Sequence, residues 1–168
     1  MLGSNIVPDS QTFHPLCTEI EARLAREGIS ETALHTILDQ LLGTFGCAVG
    51  TLHSMDPDSG MLKLRAHRGL PASVLARVQL IPIGKGMAGL AAERREPVQV
   101  CNLQTDTSGA AKPAARETGM EGSLAVPMLL DDRVRGVLGV AKPVACEFSE
   151  AEIVALLQIA SVVGTFLD

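Results

Sequence analysis

Tryptophan and tyrosine are absent from this sequence, and phenylalanine occurs only four times. Aromatic residues make up 2 % of the chain, too few for the stacking platforms on which single-stranded nucleic acids lie. Cations are scarce as well: 14 Lys and Arg against 19 Asp and Glu leave a formal net charge of −5. That balance argues against nucleic acid and against an anionic membrane, both of which call for clustered Lys and Arg. The cysteines, Cys17, Cys47, Cys101 and Cys146, are scattered and form no C-x-x-C pair. Such spacing supports neither a zinc site nor a disulfide scaffold, and it fits a reducing, cytoplasmic setting. Met1 to Pro15 has no basic run followed by an apolar core, so no signal peptide is read there. No uncharged apolar stretch of the roughly 18 residues needed for a membrane span stands out. The nearest to one, at the C-terminal end, is interrupted by Gln158, Ser161 and Thr165.

What is present is ample apolar content, 46 % of 168 residues, enough for one domain with a core of its own. Residues 1–14 read as a polar, proline-bearing leader, and 15–168 as the domain. Residues 16–27 repeat Leu16, Ile20 and Leu24 every four positions and stop at Gly28, which predicts a short helix. Ser30 caps a stronger helix over 30–45, with Leu34, Ile37, Leu38, Leu41 and Phe45 on one stripe. Cys47 to Ser54 is nearly uncharged and reads as a central strand. After the turn residues Asp56 to Gly60, Leu62, Leu64 and Ala66 alternate with Lys63, Arg65 and His67, closing a hairpin with one wet face. A helix is predicted from about Pro71 to Val78. A second hairpin is predicted from Ser123–Leu130 and Val134–Lys142 around Asp131-Asp132-Arg133, with a bulge or an unpaired position at Pro127. Gly136 and Gly139 point to close backbone approach. Ser149-Glu150-Ala151-Glu152 is a capping box opening a last helix over 149–167. This order predicts an α+β layer plan with an antiparallel sheet, terminal helices on one face, and loops and short helices on the other.

The chain is organised around Ile81 to Leu103. Gly84-Lys85-Gly86 opens a helical run, Met87 to Glu96, which Pro97 closes before the short strand Val98-Gln99-Val100. Gly84 to Gly89 spells G-x-G-x-x-G, but Pro82 breaks the preceding run and the helix is short for a parallel crossover. The glycines are therefore read as packing residues rather than as a dinucleotide cradle. Asn102 to Gly122 follows without any clear period, a loop placed to cover a small ligand.

Four segments in this register resemble GAF domains: I-P-I-G-K-G-M-A-G at 81–89, P-V-Q-V at 97–100, S-L-A-V-P-M at 123–128 and R-V-R-G-V-L-G-V at 133–140. The resemblance spans roughly residues 30–167. It implies a GAF-like sheet of about six strands and a small-molecule-binding sensory role, in which occupancy alters how terminal helices pack in a dimer. It carries no ligand with it. The Asn-Lys of the cyclic-nucleotide type is missing, since Leu103 follows Asn102, and no Cys-His pair awaits a bilin. The enzyme that shares the fold, free methionine-(R)-sulfoxide reductase, uses cysteines near the glycine turn and in the loop. Here Met87 stands at the turn and the loop has no cysteine; Cys101 alone lies near, and turnover would need a resolving thiol. The expectation is a non-enzymatic sensor of an unidentified small molecule, without metal, haem, bilin or dinucleotide, passing its signal to a separate output protein. The redox enzyme and a ligand-free dimerising adaptor are the alternatives.

Six residues are candidates for the ligand site. Cys101, where strand meets loop, either lines the pocket or is a small buried hydrophobe. Arg116 offers a fork for an anion, and Asp106 an acceptor for a ligand N–H or O–H, unless both face water as loop charges usually do. Met87, Met120 and Met128 form a soft apolar wall or simply fill gaps in the core. Lys112 and Glu117 read as solvent-facing. His53 and His67 fall on strand positions at an odd offset from core residues, and haem ligation is not favoured because His67 alternates with Lys63 and Arg65. On the last helix Val154, Ile159, Val162, Val163 and Phe166 widen the apolar stripe of Ile153, Leu156, Leu157, Ala160 and Leu167 past a single face. The surplus is to be covered by the 16–27 helix or by a second subunit, and a homodimer through the terminal helices is the expectation.

Overall fold

Two hairpins set the architecture. In the computed structural model, which describes residues 13–145 and 148–167, β1 (Val49–Met55) pairs antiparallel with β2 (Leu62–Arg68). Asp56 closes this turn by accepting from the Ser59 hydroxyl (2.7 Å) and the Ser59 backbone N–H (3.2 Å). The second hairpin joins β5 (Gly122–Leu130) to β6 (Arg133–Lys142) through Asp131 and Asp132, both at positive φ (51° and 61°). That geometry matches the right-handed twist of the strands it connects. β1 and β6 pair side by side, so both hairpins fuse into one sheet. Two short edge strands, β3 (Leu80–Ile81) and β4 (Val98–Val100), complete the order β3-β2-β1-β6-β5-β4. Every pairing is antiparallel.

Pro127 does not create the bulge expected at its position. It pairs with Val137, and the register shift falls one residue later, between Met128 and Leu129. β4 reaches only as far as Ala125, so Pro127 lies on a stretch of β5 with a free edge, where a missing N–H costs the ladder little.

Three helices cover one face. α1 (His14–Glu27), α2 (Glu31–Phe45) and α5 (Glu150–Phe166) bury Ile20, Leu24, Ile37, Leu41, Leu156 and Ile159 in one cluster with Leu52, Leu124, Met128 and Leu138 of the sheet. Each of α2 and α5 begins on a serine cap: Ser30 accepts from Ala33 N–H, and Ser149 with Glu152 forms the full reciprocal box. Gly46, at φ 67°, ends α2 in the left-handed conformation that glycine tolerates. Phe13 stacks on Phe45 with centroids 4.9 Å apart, holding the start of α1 against the end of α2. α1 lies along α5, and Ile153, Leu157, Val162 and Phe166 are partly buried against the helical core, so α1 meets much of the apolar surplus of α5. Of the leader, residues 1–12 lie outside the described residues, as does Cys146.

The opposite face carries short elements. α3 (Ala72–Leu75) is shorter than the helix expected over 71–78, because Arg77 and Val78 bond back by three residues to Val74 and Leu75 and tighten the turn. α4 (Gly86–Arg94) ends with Arg95 left-handed at φ 55°, two residues before Pro97, which disfavours helix at Glu96. α4 links strands at opposite edges of the antiparallel sheet, so the G-x-G-x-x-G run is no parallel crossover. Its glycines close a turn: Gly84 and Gly86 sit at φ 85° and 65°, Gly84 N–H donates to Gly89 O, and a Cβ on Gly89 would stand 2.5 Å from Pro82 O.

Candidate functional site

Strand parity separates large from small side chains. Leu124, Val126 and Met128 of β5 and Leu138 and Val140 of β6 belong to the helix-side core, whereas Ser123, Ala125, Gly139 and Ala141 occupy the alternate positions. The register lines those small residues up in rows, Val49–Ala141–Ser123 and Thr51–Gly139–Ala125, with His53 opposite Val137 in the next. A Cβ on Gly139 would approach Thr51 Oγ1 to 2.7 Å, so bare backbone is what leaves Thr51 its room. Gly136 is tighter still, its Cβ position falling on the His53 carbonyl.

Above this floor lies a cavity of about 400 Å³, within the range of small-molecule sites. Its walls are Val74 and Val78 around α3, Ile81 and Pro82, the first turn of α4 from Lys85 to Ala88, and Leu103. The 102–122 segment roofs it with Ala111, Lys112 and the 3-10 helix Pro113–Thr118, which contributes Ala114, Ala115 and Thr118. Hydrogen bonds hold that roof in place. Gln104 Nε2 donates to Arg116 O (3.0 Å) and Met120 O (2.9 Å), and Leu103 N–H donates to Glu121 O (2.7 Å). Glu117 accepts from Ser73 Oγ (3.3 Å) and Arg77 (3.4 Å), tying the 3-10 helix to α3. Being exposed, this ion pair positions more than it stabilises.

His53 is the polar side chain buried deepest in the wall, 2 % exposed. Its Nε2–H donates to Val78 O at 2.9 Å; a carbonyl only accepts, so Nε2 carries the proton. Burial lowers the pKa of the ring, the Val78 bond partly opposing, and keeps it neutral. Nδ1 is then a bare acceptor, enclosed and without a partner among the described residues.

Of the six sequence candidates the cavity wall contains Met87. Met128 is 1 % exposed in the helix-side core, on the other face of the sheet. Cys101 is exposed at the end of β4 and lies outside the wall. Arg116 and Asp106 meet each other, Arg116 Nη2 donating to Asp106 O (3.1 Å) while the Asp106 carboxylate accepts from Ser108 (2.7 Å). Both serve the loop rather than the cavity. Met120 is half-buried, its backbone engaged by Gln104 and Thr118. Lys112, expected to face solvent, has an exposed side chain and also borders the cavity. Sequence reasoning did not place Thr51, His53 or Lys85 in the wall. The available signal was the parity of β1, where Thr51 and His53 alternate with core Leu52. Among the described residues no three His, Cys, Asp or Glu side chains are grouped to hold a metal, and no helix is long and apolar enough to cross a membrane.

The model of the GAF domain family matches residues 30–168. Among solved structures, the GAF domain of a phosphoenolpyruvate-protein phosphotransferase (ptsP) from Coxiella burnetii is similar with a TM-score of 0.78, 20 % identity and 94 % of each chain covered. Free methionine-R-sulfoxide reductase from Neisseria meningitidis, solved with its substrate, has a TM-score of 0.74 and 22 % identity, over 93 % of this chain and 88 % of that one. A GAF sensor protein structure from Burkholderia vietnamiensis gives 0.75 and 19 %, with 94 % of each chain covered. At these identities the likeness is one of fold. No curated protein matches the sequence.

Proposed function

This chain belongs to the GAF domain family, and from that premise we propose that it is a sensory domain that binds a small molecule between its sheet and the 102–122 roof. The cavity of about 400 Å³ over a floor of Ser123, Ala125, Gly139 and Ala141 carries this reading. A floor of small residues keeps space free that Leu or Ile would fill. Binding there closes the roof on α3 and α4, and strain passes through β5 and β6 to α5, whose outer face and α1 form the interface of a homodimer. Thermal-shift measurement across nucleotides, amino acids and oxyanions tests the reading. A ligand at 100 times its dissociation constant adds about 2.7 kcal/mol of stability, and light scattering then reports whether occupancy changes the dimer. Silence across all classes favours the adaptor.

A second reading, the reductase on this fold, takes support from the likeness to free methionine-R-sulfoxide reductase structures. The placement of the described cysteines weighs against it: Cys17 and Cys47 pack against the helix-side core, and Cys101 lies outside the cavity wall. Turnover of free methionine sulfoxide with a thiol reductant, lost in Cys101→Ser, would replace the sensory reading.

A further inference from the structure

Two hydroxyl groups stand on the cavity floor, those of Thr51 and Ser123. Both residues are half-buried, and neither hydroxyl bonds to a described residue. They differ from His53 Nδ1, which is enclosed: neither oxygen is among the sealed polar atoms left without a partner, so each keeps open surface. Thr51 is flanked on both sides, by His67 of β2 and Gly139 of β6, and the helix face belongs to its neighbour Leu52. Its hydroxyl therefore opens on the cavity, and Oγ1 stands over the bare Gly139, where a Cβ would come within 2.7 Å. Ser123 lies two strands away, in the adjoining row of the floor. Strand spacings of about 4.8 Å and a rise of about 3.4 Å per residue put the two Cα atoms about 12 Å apart. A molecule bonded to both has its own polar atoms about 6–7 Å apart, once a hydrogen bond of about 2.8 Å is taken from each end.

The interior between them holds no charge. Arg77, Lys85 and Lys112 border the cavity as exposed residues, and no Asp or Glu joins them. An ammonium group brought to the floor meets no counter-ion there, and a carboxylate meets no buried cation. Either would lose its water without a partner, at a far higher cost than a neutral hydroxyl incurs. The four phenylalanines all pack on the helix side, so the cavity has no Phe, Tyr or Trp ring for a nucleobase to stack on.

Resting on the sensory reading above, we infer that the ligand is an uncharged molecule with an aliphatic body and two hydroxyl or carbonyl groups, one bonded to Thr51 and the other to Ser123. A hydroxyl both donates and accepts, so either group suits either residue. The body lies over Gly139 and Ala125, against Val74, Val78 and Leu103.

Matched probes test this on the full chain. trans-1,4-Cyclohexanedimethanol carries two hydroxyls on an aliphatic ring, and 4-methylcyclohexanemethanol carries one. trans-1,4-Cyclohexanedicarboxylate and trans-1,4-bis(aminomethyl)cyclohexane place negative or positive charges at the same positions. p-Menthane-1,8-diol, with α-terpineol and p-menthane-1,8-diamine, repeats the design on a larger body. At least one diol is expected to raise the melting midpoint and to bind about fivefold more tightly than its mono-alcohol, the ratio that corresponds to about 1 kcal/mol. Over its charged analogues the preference is expected to be about tenfold or more. Thr51→Val keeps the shape of the side chain and removes the hydroxyl, and Ser123→Ala removes the other. Either variant is expected to erase the preference for the diol while the mono-alcohol still binds, whereas a merely structural role would weaken both alike. Should Thr51→Val fold poorly, Ser123→Ala carries the test. A preference intact in both variants, tighter binding of the diamines or the dicarboxylate, or no shift from either diol overturns the inference. Stabilisation by charged compounds alone, here or in the broader screen, leaves the sensory reading standing, whereas silence of every class in both sets removes both.

Discussion

The two faces of the sheet use the same strands for opposite ends. On the helix side β5 and β6 present Leu124, Val126, Met128, Leu138 and Val140 to one core cluster, in which α2 and α5 pack on the sheet and α1 packs on those two helices. On the other side the same strands present Ser123, Ala125, Gly139 and Ala141, and the elements above them are a four-residue α3, a nine-residue α4 and a 3-10 helix. Both faces are largely apolar, so hydrophobicity does not distinguish them; side-chain size does. A cavity persists where small residues on a pleated floor meet a roof whose own bonds, such as those from Gln104, hold it up. The helix face therefore supplies the stability from which the roofed face keeps its empty volume.

If that division holds, the largest effects come from the helix face. Leu156 is fully buried between α5 and the sheet, and Leu156→Ala is expected to cost about 2–5 kcal/mol in urea denaturation, the usual loss for a core Leu left with a cavity. A cost below about 1 kcal/mol would show that the helical layer is not the stabilising one.

On the roofed face the corresponding buried side chain is polar, and its effect depends on pH. His53 takes a proton more readily in the unfolded chain, near its ordinary value of 6.5, than in the fold, where burial lowers its pKa. Its contribution to stability is complete above the unfolded value and declines as pH falls from there towards the depressed folded one. Denaturation midpoints followed from about pH 8 to about pH 5 are expected to fall through that window, and less steeply in His53→Phe. That variant also loses the bond to Val78, a cost of about 1 kcal/mol at neutral pH. An equal slope in both proteins would place the pH dependence elsewhere.

The helix starts repeat the contrast. Ser149→Ala removes one arm of the capping box on α5 and is expected to cost about 1 kcal/mol. Lys85 already has N-cap backbone angles (φ −115°, ψ 129°) without a cap bond. Lys85→Ser is therefore expected to add stability, up to about 1 kcal/mol. Gain at α4 and loss at α5, read from melting midpoints, would separate a helix start that borders the cavity from one closed for structure. Loss at both would mean that Lys85 has a structural partner in solution.

Local signals in the sequence led to the right elements. The capping box at Ser149, the Ser30 cap, the Gly46 stop and both hairpins depend on neighbours within a few residues, and each stands where its residues predict. The six-stranded antiparallel sheet followed from the hairpins and the family likeness. Facing was harder to read, because it depends on which layer covers each parity. Met128 shares parity with Leu124 and Val126, and that alternation carries it to the helix side whatever the versatility of a thioether. Arg116 and Asp106 are charged loop residues, but Arg116 donates to the Asp106 backbone carbonyl, across ten positions that no periodicity links, and the Asp106 carboxylate accepts from Ser108. His53 and Lys85 become wall residues only through the return of Val78 and α4 over the sheet, a long-range event that composition does not record.

The smallest effect on stability is expected where the effect on binding is greatest. Ser123 is half-buried on the cavity floor, beside Val100 of β4 and Ala141 of β6. Ser123→Val suits a strand, adds apolar contact where there is empty space, and gives up a hydroxyl with no hydrogen bond among the described residues. Its stability is therefore expected to stay within about 0.5 kcal/mol of wild type, as for substitutions that touch neither a packed core nor a cap. The added methyl groups stand in the ligand's volume, so any compound that stabilises the wild type should do so at least tenfold more weakly in concentration terms. A large loss of stability would mean that the floor is packed and that both faces are core. An unchanged ligand response would put the bound molecule somewhere other than between the sheet and its roof.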